Sequence, residues 1–262
     1  KYHPQTAQTI SLNENAFIYD RKSFDEYPWP DPAVLEPVYL DKMQKKLPSK
    51  MKLIVYSYDG ILENTIGITG YTNLCMMLYD DPGLAEAIFH KIGSLLWAYF
   101  KFSLDHEAVG AVMCNDDWGF HSQTLLSPAD LRKYVFPWYK KIVSYAHQKG
   151  KYAILHSCGM YDEIIGDIID DIRFDGRHSY EDSIVPVEQA YDSLQGKIAV
   201  LGGLDVNFMA TAEPQAVYKR ARNMLEKSKE KGGYALGTGN SVPLYIPDEN
   251  FFAMIRAAVE ES

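Results

Sequence analysis

Side chains able to do chemistry cluster in this sequence wherever a short apolar run stops. The sharpest cluster is His156-Ser157-Cys158-Gly159, directly after the run Lys151–Leu155. Residues two apart on a strand project from the same face, so the imidazole of His156 and the thiol of Cys158 can reach one ion. Neutral imidazole and thiolate suit Zn2+, a borderline-soft cation with tetrahedral preference. Two ligands do not make a site, and the pair also reads as a polar strand end with a hydrogen-bonded histidine and a half-buried cysteine. The next run end offers His178 and Glu181. Glu181 is a candidate third ligand, which would leave one zinc position open to substrate, as in catalytic sites. It reads otherwise as a helix-entry acid or a partner of Arg177. His178 is expected in the pocket wall or behind a ligand rather than on the metal.

Asp116 and Asp117 follow the run that ends at Cys114. Adjacent carboxylates can form an acid–base pair with separated pKa values, or hold a polar group of a substrate. The alternative is that one caps the next segment and the other is solvated. Cys114 lies inside its apolar run and reads as core. Asp59, Asp205, Asn240 and Ser241 stand at three further run ends and are candidate pocket residues. Trp118 and Tyr180 lie beside the polar clusters, where aromatic walls suit a flat or apolar ligand.

The elements that must position these residues are six apolar runs: Leu53–Tyr58, Gly110–Cys114, Tyr152–His156, Phe174–Ser179, Ile198–Gly202 and Tyr234–Gly237. Helical segments separate them. Helices are expected over Ala33–Lys46, Pro82–Asp105, Met160–Ile169, Pro186–Leu194, Pro214–Lys231 and Asp248–Glu261. Another starts at the capping residue Ser127, with Pro128 at its first position, and runs to Lys149 before Gly150. Pro137 should kink it. Strand–helix alternation of this kind means a parallel sheet flanked by helices. An open nucleotide-binding sheet would carry a glycine-rich first turn such as GxGxxG, and none is present. A (β/α)8 barrel explains why polar clusters follow nearly every run, because catalytic groups converge at the C-terminal ends of barrel strands. The two strands needed to complete it would precede residue 51, partly in Thr9–Tyr19 and partly in sequence that this chain, opening on Lys1, lacks.

Composition narrows the partners. The charge is −9, from 26 Lys and Arg against 35 Asp and Glu, which disfavours a nucleic-acid backbone as partner. No apolar run approaches the ~20 residues of a membrane span, and no secretory leader is evident. Three cysteines make no disulfide scaffold, so a reducing compartment, the cytoplasm, is expected.

Five stretches together resemble the uroporphyrinogen decarboxylase superfamily. They are Asp116-Asp117-Trp118-Gly119, Leu126-Ser127-Pro128 with Phe136-Pro137, and Leu155-His156-Ser157-Cys158-Gly159. The others are Leu201-Gly202-Gly203-Leu204-Asp205, and Gly237-Thr238-Gly239-Asn240-Ser241 with Pro247-Asp248-Glu249-Asn250. They are spaced over residues 28–256. The resemblance implies a TIM barrel, here a single domain short of its first strand–helix units. It implies either metal-free decarboxylation of a tetrapyrrole or zinc-dependent methyl transfer to or from a corrinoid on a separate protein.

The HxCG stretch is similar to the methyltransferase branch, and the spacing from Cys158 to Glu181 to the zinc site of cobalamin-independent methionine synthase. Thiol-specific members place another zinc cysteine at the last strand end, where this chain has Thr238, Asn240 and Ser241. The Arg-rich motif with which decarboxylases grip substrate carboxylates is absent. On this resemblance Zn2+ is held by His156, Cys158 and Glu181, and Asp116 or Asp117 orients substrate or supplies a proton. Asp205, Asn240 and Ser241 then line the mouth where the corrinoid protein docks. The methyl donor or acceptor is an ether, an amine or a thiol, and a homodimer is expected. The alternatives are a tetrapyrrole decarboxylase and a non-catalytic barrel that binds a corrinoid or tetrapyrrole.

Overall fold

The computed structural model describes residues 16–260. Six strands form one sheet: β1 (Leu53–Tyr56), β2 (Val109–Asn115), β3 (Tyr152–His156), β4 (Gly176–His178), β5 (Ala199–Leu201) and β6 (Tyr234–Ala235). Each lies within or overlaps one of the six apolar runs. They are parallel and neighbour one another in chain order, β1-β2-β3-β4-β5-β6. Consecutive parallel strands joined by outer helices are the wall of a (β/α)8 barrel. Among the described residues β1 and β6 are the two edges. Inner-face side chains there, such as Ile54 and Tyr56, remain exposed. Of the strand expected over Thr9–Tyr19, residues 9–15 lie outside the described stretch. Residues 16–19 form no strand; the amides of Phe17 and Ile18 donate to the Ile68 carbonyl, and Ile18 is buried.

The helices are α1 (Arg21–Glu26), α2 (Val38–Gln44), α3 (Ile61–Thr69), α4 (Tyr71–Asp80), α5 (Pro82–Asp105), α6 (Pro128–Asp130), α7 (Phe136–Gln148), α8 (Val187–Leu194), α9 (Val206–Thr211), α10 (Pro214–Ser228) and α11 (Asp248–Val259). None is long and apolar enough to cross a membrane. Several depart from the sequence pattern for identifiable reasons. The helix expected over Ala33–Lys46 is a 3-10 turn, Pro32–Val34, and then α2, because Pro37 removes a donor and restrains Glu36. The kink expected at Pro137 is a π-turn over Leu131–Val135, after which Pro137 sits in the first turn of α7. Met160–Ile169 forms no α-helix; a 3-10 turn at Asp162–Ile164 leads into a π-turn over Asp167–Ile172. Helices α1, α3, α4 and α9 were not evident from apolar periodicity.

The outward face of the sheet packs against these helices in the main core, and one carboxylate organises its centre. Asp116 is completely buried and accepts four hydrogen bonds. The amides of Leu62 and Glu63 donate at 3.1 and 3.0 Å, Trp118 Nε1 at 2.8 Å, and the Tyr139 hydroxyl at 2.9 Å. Two orphan amides of the first turn of α3 are thereby satisfied from a neighbouring strand. Gly60 precedes that helix without a side chain because any Cβ there would collide with Asp116 and the Asn115 carbonyl. Burial lifts the Asp116 carboxyl to about 6, against the downward pull of its four donors. Replacing it leaves four donors without a buried acceptor, so Asp116→Ala should cost about 3 kcal/mol or more of unfolding free energy. Denaturant titration followed by circular dichroism measures this, and a loss below about 1 kcal/mol would contradict the role.

Candidate metal centre

Register builds the site. Asn115 pairs with His156 across β2 and β3, His156 with His178 across β3 and β4, and His178 with Leu201 across β4 and β5. Residues level with one another in a parallel sheet point to the same face, so the two imidazoles stand side by side with centroids 4.8 Å apart. Beyond the strand ends the alternation continues. Cys158 lies two residues past His156, and Asp117 two past Asn115, on the inner side. Asp116 and Ser157 face outward and are buried. The Cys158 amide donates to Asp117 Oδ1 at 2.7 Å, tying the two loops together. Asp117, His156 and Cys158 thereby bring a carboxylate oxygen, a ring nitrogen and Sγ within 4.8 Å of one another.

Hydrogen bonds fix the orientation of this group. His178 Nε2 lies 3.1 Å from the Thr238 carbonyl, which can only accept, so that nitrogen carries the proton. The Nδ1 of a neutral His178 is then an acceptor, and His156 Nδ1, 2.6 Å away, must donate to it. This leaves Nε2 of His156 with a free lone pair, the form a metal requires. Both rings are held neutral: burial lowers the pKa of His156, and burial, reinforced by His156 and Arg177, lowers that of His178 to about 4. Gly202, at φ +76°, is needed here, since a Cβ would strike the Thr238 carbonyl and the His178 ring. Cys158 Sγ is touched by the Asn240 amide and the Ser179 hydroxyl, each at 3.3 Å. Burial and then the charge of Asp117 push its thiol up to about 12. Without a cation it is therefore a protonated thiol, the opposite of a free nucleophilic cysteine.

The other candidates are distributed differently. Glu181 lies outside the group of three, near enough to Asp205 and Asp117 to feel the charge of both. Burial and the charges of Asp205 and Asp117 raise its pKa. Asp116 and Trp118 belong to the core beneath α3, not to the mouth. Asp205 caps α9, accepting from the amides of Phe208 and Asp182 at 2.8 and 3.0 Å. Tyr180 is buried, its hydroxyl donating to the Arg177 carbonyl at 3.3 Å. Asn240 reaches Cys158 while its Oδ1 accepts from the exposed Ser241 amide. Asp59 is half-buried near Asp117, and its pKa is raised by burial and by that charge.

Sequence reasoning missed Glu63. Its carboxylate reaches the Gly60 amide at 3.4 Å, an acid three residues past a helix cap, which is the one signal that marks it. Burial, then the charges of Asp116, Asp117 and Asp59, raise its pKa from 4.5 to about 8. Between those values the folded protein keeps a proton that the unfolded chain has released, so stability falls as pH rises through this window. The penalty is absent below 4.5 and complete above about 8. In chelator-treated protein, Glu63→Gln should therefore gain melting temperature relative to the parent chain between about pH 5 and about pH 8. Parallel melting curves across that range would contradict this.

The Uroporphyrinogen decarboxylase (URO-D) family profile matches residues 32–261. A methylated-thiol–coenzyme M methyltransferase of Methanosarcina mazei is 26% identical over 194 residues, covering 74% of this chain and 49% of the relative. A uroporphyrinogen decarboxylase of Anaeromyxobacter dehalogenans is also 26% identical, over 196 residues, covering 73% of this chain and 52% of the relative. The chain thus spans about half the length of these curated relatives. In three dimensions a methyltransferase from Methanosarcina mazei superposes with a TM-score of 0.66 at 17% identity, covering 86% of this chain and 64% of that one. The consecutive parallel strands, the polar strand ends and the match over most of the chain place this protein in the uroporphyrinogen decarboxylase family.

Proposed function

We propose that this chain performs zinc-dependent methyl transfer between a small methyl compound and the corrinoid of a partner protein. The observation that carries this reading is the convergence of Asp117, His156 and Cys158 within 4.8 Å. Thiolate, imidazole and carboxylate are zinc donors, and three of them leave a tetrahedral position for substrate. The donor set also fits electrostatically, since a cation beside Sγ offsets the burial and the Asp117 charge that otherwise keep the thiol protonated. Asp117 takes the place that Glu181 was expected to fill.

Zinc, when bound, supplies a Lewis acid that withdraws electron density from the ether oxygen, amine nitrogen or thiol sulfur carrying the methyl group. The residues of the chain do the rest. His178 holds His156 in the tautomer with Nε2 free, and Asn240 donates to Cys158 Sγ. Glu63, protonated near neutral pH beside Asp117, is the acid that gives a proton to the heteroatom as the methyl group leaves. Asp205, Asn240 and Ser241 line a cavity of about 840 Å3 with Tyr180 and Glu181, where substrate and corrinoid protein would meet. We take the cytoplasm as the compartment, in keeping with three free cysteines. Decarboxylation of a tetrapyrrole is the second reading, favoured by decarboxylase relatives as similar as the methyltransferase.

Elemental analysis of purified protein should find about one zinc per chain. Cys158→Ser, His156→Ala and Asp117→Asn should lose it, and Glu181→Gln should keep it. His178→Phe, which removes both hydrogen bonds behind the ligand, should weaken zinc about 10–100-fold. Absent zinc, or zinc indifferent to Cys158→Ser, would sink the metal reading. Demethylation of an ether, amine or thiol in the presence of a reduced corrinoid protein should be zinc-dependent. Release of CO2 from uroporphyrinogen, unaffected by chelator, would establish the second reading instead.

A further inference from the structure

The residue that follows β4 breaks two rules at once. Alternation along the strand sends Arg177 to the helix side of the sheet, and Ser179, two residues on, should follow it. Instead the Ser179 hydroxyl lies 3.3 Å from Cys158 Sγ, a member of the metal group. Its backbone φ is +117°, a region that a residue with a Cβ enters only at a cost. Two other residues besides glycines have positive φ, Lys50 at 75° and Arg173 at 70°. Both are exposed and stand near the left-handed helical well, whereas Ser179 is buried and lies well outside it. Elsewhere on this rim the chain meets a positive φ with glycine. His178 is level with Leu201, so the residue after each strand holds the same place; after β5 it is Gly202, at φ +76°. Gly159, beside Cys158, is at φ +99°. Glycine at position 179 would avoid the backbone cost, and serine has only its hydroxyl to set against it.

The surroundings hold Ser179 in that conformation. The Tyr180 amide donates to the Gly239 carbonyl at 3.0 Å, and His178 Nε2 to that of Thr238 at 3.1 Å, so both flanking residues are tied to the loop after β6. Arg177 Nη2 donates to the Ser179 carbonyl at 3.1 Å. The guanidinium is itself buried against the rings of Tyr161 and Tyr180, 4.0 and 4.6 Å from their centroids. A charged donor fixed in this way is a strong anchor for a peptide carbonyl. We propose that Ser179 is a positioning residue of the metal group, kept in a costly backbone conformation so that its hydroxyl donates to Cys158 Sγ. The assignment rests on the metal reading above. A metal-bound thiolate can only accept, so the Ser179 hydroxyl is then the donor, and Asn240 Nδ2, also at 3.3 Å, is the second. Two donors on one sulfur fix its orientation and draw charge from it, which leaves a more electrophilic cation facing the methyl-bearing heteroatom.

Two variants separate the backbone from the hydroxyl. Ser179→Ala and Ser179→Gly both remove the hydroxyl, and only the second removes the cost of the positive φ. In chelator-treated protein Ser179→Gly should melt above Ser179→Ala by about 2–4 °C, the reverse of the usual order of these two residues within a strand or helix. Failure of Ser179→Ala to fold where Ser179→Gly folds is the same result in extreme form. Ser179→Ala melting level with or above Ser179→Gly would overturn the strained placement. Cobalt(II), added to the metal-free protein in place of zinc, reads the hydroxyl through its sulfur-to-metal charge-transfer band in the near ultraviolet. Loss of a donor to sulfur should move that band to longer wavelength, and by the same amount in both variants, since they differ in stability but share the missing hydroxyl. A purely structural role would leave the band in place. A parent band that neither variant shifts overturns the assignment and spares the metal reading; a parent with no band removes both.

Discussion

The parallel register of β2, β3 and β4 is the constraint on which the rest of the molecule turns. It sets Asn115, His156 and His178 level with one another and gives each of the next two residues a fixed side of the sheet. Inner positions collect a carboxylate, two imidazoles and a thiol. Outer positions send Asp116, Ser157 and Arg177 among the helices. A slip of one residue in one of these strands would exchange that strand's two sets, putting its inner polar groups in the core and its packing groups in the mouth.

Both faces carry buried charge, and the two are handled in opposite ways. On the outer side Asp116 is met by four donors and becomes a fixed part of the scaffold that begins α3. On the inner side Asp59, Glu63 and Asp117 crowd together with little opposing positive charge, and burial first, then that crowding, raises the pKa values of Asp59, Glu63 and Cys158. Clustered acids, a neutral histidine with one free lone pair and a thiol are groups that could hold a cation. The chain from the Thr238 carbonyl through His178 to His156 adds the orientation that proximity alone does not supply. Scaffold and site are thus coupled: Asp116 anchors the helix that carries Glu63, and Asp117, its neighbour in sequence, joins His156 and Cys158.

Much of this was legible in the residues themselves. The six strands announce themselves as apolar runs, and polar ends follow nearly all of them. The HxC spacing carries its own geometry, since two residues apart on a strand is one side by covalent necessity. The same rule read across Asn115-Asp116-Asp117 separates the two aspartates, one for the core and one for the mouth. Pro137 likewise writes its interruption into the chain, though not the π-turn that it takes, whereas the break at Pro37 fell inside the helix expected over Ala33–Lys46.

What the sequence determined by itself, then, was the alternation of strands and helices, the polar ends that follow the strands, and His156 and Cys158 as neighbours on one face. These are local properties, set by periodicity and by the stereochemistry of a few neighbouring residues. The third member of the group was decided only in three dimensions. Asp117 is 39 positions from His156 in the chain, and Glu181 is closer, at 25. Yet Cys158 meets Asp117, because β2 and β3 lie side by side, while Glu181 stays outside the group. The same is true of His178 bonded to Thr238, and of Arg177 set between two tyrosines on the far side of the sheet. Separation along the chain carries no information about separation across strands, and register, loop direction and burial exist only once the sheet has formed.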